Sequence, residues 1–176
     1  DRLAKTFGGT VVPVSTGDNA MQSNAPVALV TGASRGAGAG VARALGQHGY
    51  TVYITGRSEV VGAAKAWDGS VLPGTIHETA LAVTEAGGQG VALCCDHGDD
   101  AAVAEVFTQI KRDTGRLDVL FNNAAFMHPE LITPKPFWEK GIEAAEILDV
   151  GLRSAYVASW HAARMMVPAG TGWIIF

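Results

Sequence analysis

Three glycines, Gly32, Gly36 and Gly38, stand at the spacing Gly-x3-Gly-x-Gly between a short apolar run, Val27 to Val30, and a stretch of helical period. A glycine-rich turn from a strand into a helix leaves backbone N–H groups free. It also aims the positive end of the helix dipole at whatever lies in front of it. The chemistry such a turn supports is the holding of an anion, and in a βαβ setting that anion is a dinucleotide pyrophosphate. Ser34, Arg35 and Ala37 complete the turn, so Gly32, Ser34, Arg35, Gly36, Ala37 and Gly38 are the first candidate binding residues. The alternative is a merely flexible Gly/Ala loop; the strand before it, the helix after it and the Thr31 lead-in argue against that.

A second group follows the β-branched run Thr51 to Thr55, which ends on Gly56-Arg57. Dinucleotide sites selective for NAD place an acid near this point to bind the adenosine ribose. No acid occurs from 51 to 58. Arg57 stands there instead, with Arg35 able to approach from the glycine turn, and guanidinium binds phosphate bidentately. The pattern favours NADP over NAD. In the competing reading Arg57 is a solvated loop residue and Glu59 serves the ribose.

Farther on, Asp96-His97-Gly98-Asp99-Asp100 falls on a turn after the apolar run Val91 to Cys95. No second cluster completes a metal shell, so Asp99 reads as a helix N-cap. Asn122-Asn123-Ala124-Ala125 follows the apolar run Leu117 to Phe121, at the strand end where open parallel sheets bind ligands. One asparagine should tie strand ends together and the other should lie against a ribose. His128, in a proline-rich rim segment from Phe126 to Trp138, is an acid/base candidate or an ordinary exposed loop histidine.

These segments together resemble the short-chain dehydrogenase/reductases: Thr31-Gly32-x3-Gly36-x-Gly38, Asp96, and Asn122-Asn123-Ala124-Ala125 occur in that family's order and at its spacing, from about Pro26 to the last residue. The resemblance implies an α/β, three-layer Rossmann fold with a parallel sheet of order 3-2-1-4-5, and an NADP(H)-dependent oxidoreductase that interconverts carbonyls and alcohols. It implies that Asp96 contacts adenine, with His97 beside it, and that Asn123, Ala124 and Ala125 belong to the cofactor site. Short strings such as Val150-Gly151-Leu152-Arg153 and Met166-Val167-Pro168-Ala169-Gly170 are most similar to the dehydrogenase/reductase member 1-like branch. That branch implies small carbonyl or alcohol substrates. A flavin or sugar-nucleotide protein has no support from the Asn-Asn-Ala-Ala segment.

The family's acid is a tyrosine followed four residues on by lysine. Tyr50, Tyr53 and Tyr156 are followed at that offset by Ile54, Arg57 and Trp160. The family's serine, tyrosine and lysine are expected beyond Phe176, and Gly151 aligns with its helix asparagine. The chain begins on Asp1 rather than methionine and stops inside an apolar run, so both ends read as cut, the fold as truncated before its last strands and these residues as inactive alone. A non-catalytic nucleotide- or partner-binding module is the alternative.

The elements that must position these residues read as βα alternation. Apolar faces recur at helical spacing in Val41, Ala42 and Leu45 and in Val103, Val106, Phe107 and Ile110. Thr75 to Glu78 is a capping box after Pro73-Gly74. A long helix is predicted over 139–166, with Leu148, Leu152, Ala155, Ser159, Ala162 and Met166 on one face; the resemblance implies a homo-oligomer through it. Pro168 to Gly172 should turn the chain into a fifth strand. Residues 1–25, with a possible strand at Thr10 to Val14, read as a leader, and 26–176 as one domain. Trp67 is a candidate cover for adenine.

A net charge of −4 and no basic run beyond Lys111-Arg112 give no footprint for nucleic acid. No apolar stretch reaches the ~18–20 residues of a membrane span. Cys94 and Cys95 are adjacent in a strand and point to opposite faces, so both should be reduced, in or near the core. That suits the cytoplasm, although an incomplete N-terminus leaves targeting open.

Overall fold

A computed structural model of the chain describes residues 25–66 and 69–176. The leader expectation, apart from Ala25, and the proposed role of Trp67 lie outside the described residues. Five strands, β1 (Val27–Val30), β2 (Thr51–Gly56), β3 (Gln89–Cys94), β4 (Val119–Phe121) and β5 (Trp173–Ile175), form one parallel sheet in the order β3-β2-β1-β4-β5. The order is the expected one, and it follows from right-handed crossovers through α1 (Gly36–Gln47), α2 (Ile76–Glu85), α3 (Asp100–Thr114) and α4 (Ser154–Ala169).

Alternation along each strand builds two cores. Val27, Leu29, Tyr53 and Leu120 face α3 and α4, meeting Val106, Ile110, Ala158 and Met166. Ala28, Val30, Val52 and Ile54 face α1 and α2, meeting Ala42, Ile76 and Val83. Because both faces are covered, β1 and β2 are buried along their whole length, which explains their unbroken apolar runs. Local signals set the helix ends. Thr75 accepts from the Glu78 amide at 3.0 Å and Asp99 from the Ala101 amide at 2.8 Å, while Gly115 in the left-handed region closes α3. At the N-terminal ends of the strands Asp118 accepts the Val27 amide at 2.7 Å and is held by Arg116, locking β4 to β1.

The predicted helix over 139–166 is not continuous. Short 3-10 turns occupy Phe137–Glu139 and Ile142–Ala145, and the chain kinks at Val150 and Gly151 before α4 begins at Ser154. Gly151 has φ 156° and ψ −59°, a conformation that a side chain excludes, so the glycine makes the kink. It is therefore not a mid-helix residue. Before Ser154 the helical face fails: Leu148 and Leu152 are exposed, while Ala155, Ala158, Ala162 and Met166 are buried. At the other end α4 runs through Pro168, and Gly170 rather than Pro168 ends it. Cys95 is buried as expected, but Cys94 on the edge strand is exposed, and both are free.

Candidate functional site

The crossovers leave β1 in opposite directions on its two sides, so the C-terminal ends of β1 and β4 form the topological switch point of the sheet. Buried Thr31 organises this point. Its Oγ1 accepts the amides of Asn123 and Ala124 at 2.9 and 3.0 Å. Asn123 returns the tie, its Nδ2 donating to the carbonyls of Thr31 and Gly32 at 2.9 and 3.0 Å. The start of α1 is seated on that amide: a Cβ at Gly38 would lie 2.5 Å from Asn123 Nδ2. Ala33 donates to Thr55 O at 2.9 Å, which brings in β2. The glycine turn is thus held by three strands.

No side chain caps α1, whose N-cap residue Arg35 is extended at φ −165°. The amides of Gly36, Ala37 and Gly38 precede the helix's own hydrogen bonding and are available to an anion. Beside them opens a cleft of about 760 Å³, within the range of small-molecule sites. Gly32, Ser34, Arg35, Arg57, Asp96, His97, Asn123, Ala124 and Ala125 line it, with Phe126, Met127 and Val150 at one end. The sequence-predicted residues therefore converge, with Gly36, Ala37 and Gly38 forming the adjoining helical turn. An uncapped N-terminus beside a cleft of this size fits a dinucleotide.

The side chains around the cleft have these protein partners. Arg35 donates through Nε to Pro73 O at 2.8 Å and through Nη2 to Ser58 Oγ at 2.7 Å and Gly74 O at 3.1 Å. Its guanidinium is engaged by protein groups. Arg57 pairs with Asp96 at 3.5 Å, both exposed. The other oxygen of Asp96 accepts the Gly98 amide at 2.9 Å. Glu59 does not line the cleft; its carboxylate lies 3.8 Å from His77 Nε2. Between Ser58 and Gly74 the chain makes a small hairpin, with Leu72 donating to Ala64 O at 2.9 Å and Lys65 paired with Val71.

His97 is buried, with Nε2 2.9 Å from Thr55 Oγ1, and burial pulls its pKa down to about 4. It is neutral near pH 7. One asparagine ties strand ends together, as expected. Asn123 makes the ties, while Asn122 turns to α4, donating to Ser159 Oγ at 3.1 Å, with its Oδ1 buried and without a partner. His128 accepts the Glu130 amide through Nδ1 and caps a 3-10 turn (Pro129–Ile132). Among the described residues no group of His, Cys, Asp and Glu is placed to hold a metal, and no helix is long and apolar enough to cross a membrane.

None of the three tyrosines lines the cleft. Tyr53 is buried in the sheet and donates to Asp113 at 3.2 Å. Burial first, then the Asp113 charge, pushes its hydroxyl above the usual phenol range. Gly151 donates to Ser154 Oγ at 3.1 Å, and Val150 O accepts the Phe126 amide at 2.8 Å, so the kink closes one end of the cleft. Sequence reasoning missed Thr55, Lys65 and Val150. For Thr55 the available signal was its position at the end of the second strand, opposite the turn.

The short chain dehydrogenase family model matches residues 26–176. The chain is 41% identical over 155 residues to dehydrogenase/reductase SDR family member 1 of Mus musculus, covering 85% of this chain and 44% of that protein. The same protein of Homo sapiens is 42% identical over 156 residues, covering 86% and 45%. The chain thus spans less than half the length of these curated relatives. A metagenomic short-chain oxidoreductase, solved in complex with NADP, superposes with a TM-score of 0.69 at 29% identity, covering 86% of this chain and 62% of that one.

Proposed function

The chain belongs to the short-chain dehydrogenases, a family of oxidoreductases, and from that premise we propose that its cleft binds NADP(H) for interconversion of small carbonyls and alcohols. The carrying observation is the uncapped start of α1 opening on a cleft whose β2 end offers Arg57 and Ser58 and no carboxylate on that strand end. In this reading the Gly36 to Gly38 amides hold the pyrophosphate and Arg57 meets a 2′-phosphate, giving up its long contact with Asp96. Asp96 then serves the adenine amino group. Ala124 and Ala125 shape the nicotinamide side, and Phe126 and Met127 shield it from water. The cofactor, when bound, supplies or accepts the hydride.

Protonating the product oxygen needs an acid of matched pKa within reach. No tyrosine in the chain is so placed, and Gly151 offers only backbone where the family has an asparagine. We therefore assign the acid to residues outside these 176 and expect no turnover from residues 1–176 alone. That same observation favours a second reading, a nucleotide- or partner-binding module without turnover. The exposed Tyr156, Trp160 and Val167 on α4 suit a homo-oligomer. A cytoplasmic setting suits the two free cysteines.

Fluorescence titration of the full-length protein tests the cofactor choice. NADPH should bind about tenfold tighter than NADH, or ~1.4 kcal/mol, and Arg57→Ala should remove most of the gap. Equal affinities in the unmutated protein would refute the preference. NADPH oxidation with a panel of ketones then separates the enzyme from the binding module.

A further inference from the structure

We propose that Arg35 is a positioning residue, which staples the hairpin after β2 so that the hairpin's apolar inner face closes the adenosine half of the cleft. The proposal rests on the dinucleotide reading above. Its first support is what the guanidinium touches. It bonds Ser58 at the hairpin's first foot and Pro73 and Gly74 at its second, at 2.7 to 3.1 Å. One side chain therefore fixes both feet to the glycine turn, and its fork geometry suits several fixed acceptors at once.

The second support is the hairpin's two-sidedness. Its ladder, with Ala66 donating to Ser70 O at 2.8 Å and Leu72 to Ala64 O at 2.9 Å, sets alternate residues on opposite faces. Lys65 and Val71 pair across the bridge and are exposed. Ala64, Ala66 and Leu72 are half-buried and line the cleft together with Arg57, Asp96 and His97. Two alanines and a leucine make a low, apolar wall, which suits the face of a purine ring, and Lys65 lines the cleft beside them. Leu72 leads directly into Pro73, whose carbonyl accepts from Arg35, so the wall's position depends on the staple.

A staple and a phosphate ligand predict different losses. If Arg35 met the 2′-phosphate, its removal would weaken NADPH and spare NADH. As a staple for the adenosine wall it acts on both alike. The experiment is equilibrium titration of the full-length protein with NADPH, NADH and ADP-ribose, in Arg35→Met, Leu72→Ser and Val71→Ser, with thermal melts alongside. Arg35→Met and Leu72→Ser should each weaken all three ligands roughly tenfold and leave the NADPH-to-NADH ratio unchanged. Val71→Ser, on the outer face, should match the unmutated protein. Limited proteolysis should cut the hairpin faster in Arg35→Met only.

Loss of NADPH affinity alone in Arg35→Met would make Arg35 a phosphate ligand and overturn the proposal. Unchanged binding in Leu72→Ser would overturn it independently, whatever the stability of the Arg35 variant. If the unmutated protein binds none of the three ligands, the dinucleotide reading falls first and the wall with it.

Discussion

Replacing Gly38 by alanine should destabilise the protein, while the same replacement two residues on should not. A Cβ at Gly38 would lie 2.5 Å from Asn123 Nδ2 and 3.0 Å from Ala33 Cα, whereas one at Gly40 meets nothing within 4 Å. Asn123 cannot retreat without surrendering its bonds to Thr31 O and Gly32 O. Two neutral hydrogen bonds are worth ~1 kcal/mol each, and stranding their partners raises the cost. Alanine's helix propensity returns up to ~1 kcal/mol. The net for Gly38→Ala is a loss of about 2 kcal/mol, or ~4–8 °C in Tm for a domain of this size. Gly40→Ala should gain up to ~1 kcal/mol. Displacing the start of α1 also moves the Gly36 to Gly38 amides, so NADPH affinity should fall in Gly38→Ala alone. In an Asn123→Ala background the Gly38→Ala penalty should shrink by at least ~1 kcal/mol, since the two residues act through one contact. Urea melts and NADPH titrations of the four variants and the unmutated protein measure all of this. Equal stabilities of Gly38→Ala and Gly40→Ala, or strict additivity with Asn123→Ala, would refute the seating of α1 on the asparagine.

Two further outcomes follow from single residues. His97 has a folded pKa near 4 against an unfolded value near 6.5, so between these values the unfolded chain binds more protons at this site. Its contribution, up to ~3 kcal/mol, is complete above pH 6.5 and is lost as pH falls towards 4. His97→Gln should flatten that part of the stability–pH curve measured by urea melts, and an unchanged slope would contradict a buried neutral imidazole. Gly151→Ala should cost roughly 2–3 kcal/mol, because φ 156° with ψ −59° is closed to a side chain; a stability loss below ~0.5 kcal/mol would mean that the kink is not fixed by this residue.

The fold was legible because its signals are local. The runs at Val27 to Val30 and Thr51 to Thr55, the Thr75 and Asp99 caps and the Gly115 stop each act within a few residues, and each stands where the sequence puts it. The long helix failed for a reason also local in origin but opposite in sign. Period alone joined Leu148 to Ala155, whereas Gly151 permits the kink and the Phe126 amide, bonded to Val150 O, holds it. Only the second of these partners is distant in sequence, and periodicity carries no trace of it. The end of α4 misled in the same way: Pro168 lies in the last turn, where a missing N–H costs little more than one hydrogen bond, so the helix runs through to Gly170.

The candidate site divides along the same line. Residue types and strand ends sufficed to gather Gly32, Arg57, Asp96 and Asn123 around one cleft, because a parallel sheet of known order brings its C-terminal strand ends together. What each side chain does there depends on partners tens of residues away. Arg35 and Arg57 are the same residue at neighbouring places on the cleft, and both suggest a phosphate when read alone. Arg35 donates to Ser58, Pro73 and Gly74, three fixed acceptors, while among the described residues Arg57 meets only an exposed carboxylate at 3.5 Å. An exposed pair at that distance contributes little and is readily exchanged for a phosphate. Under the proposed reading, the arginine with the weaker protein contact is the one that selects the cofactor, and the one with the stronger contacts shapes the cleft that receives it.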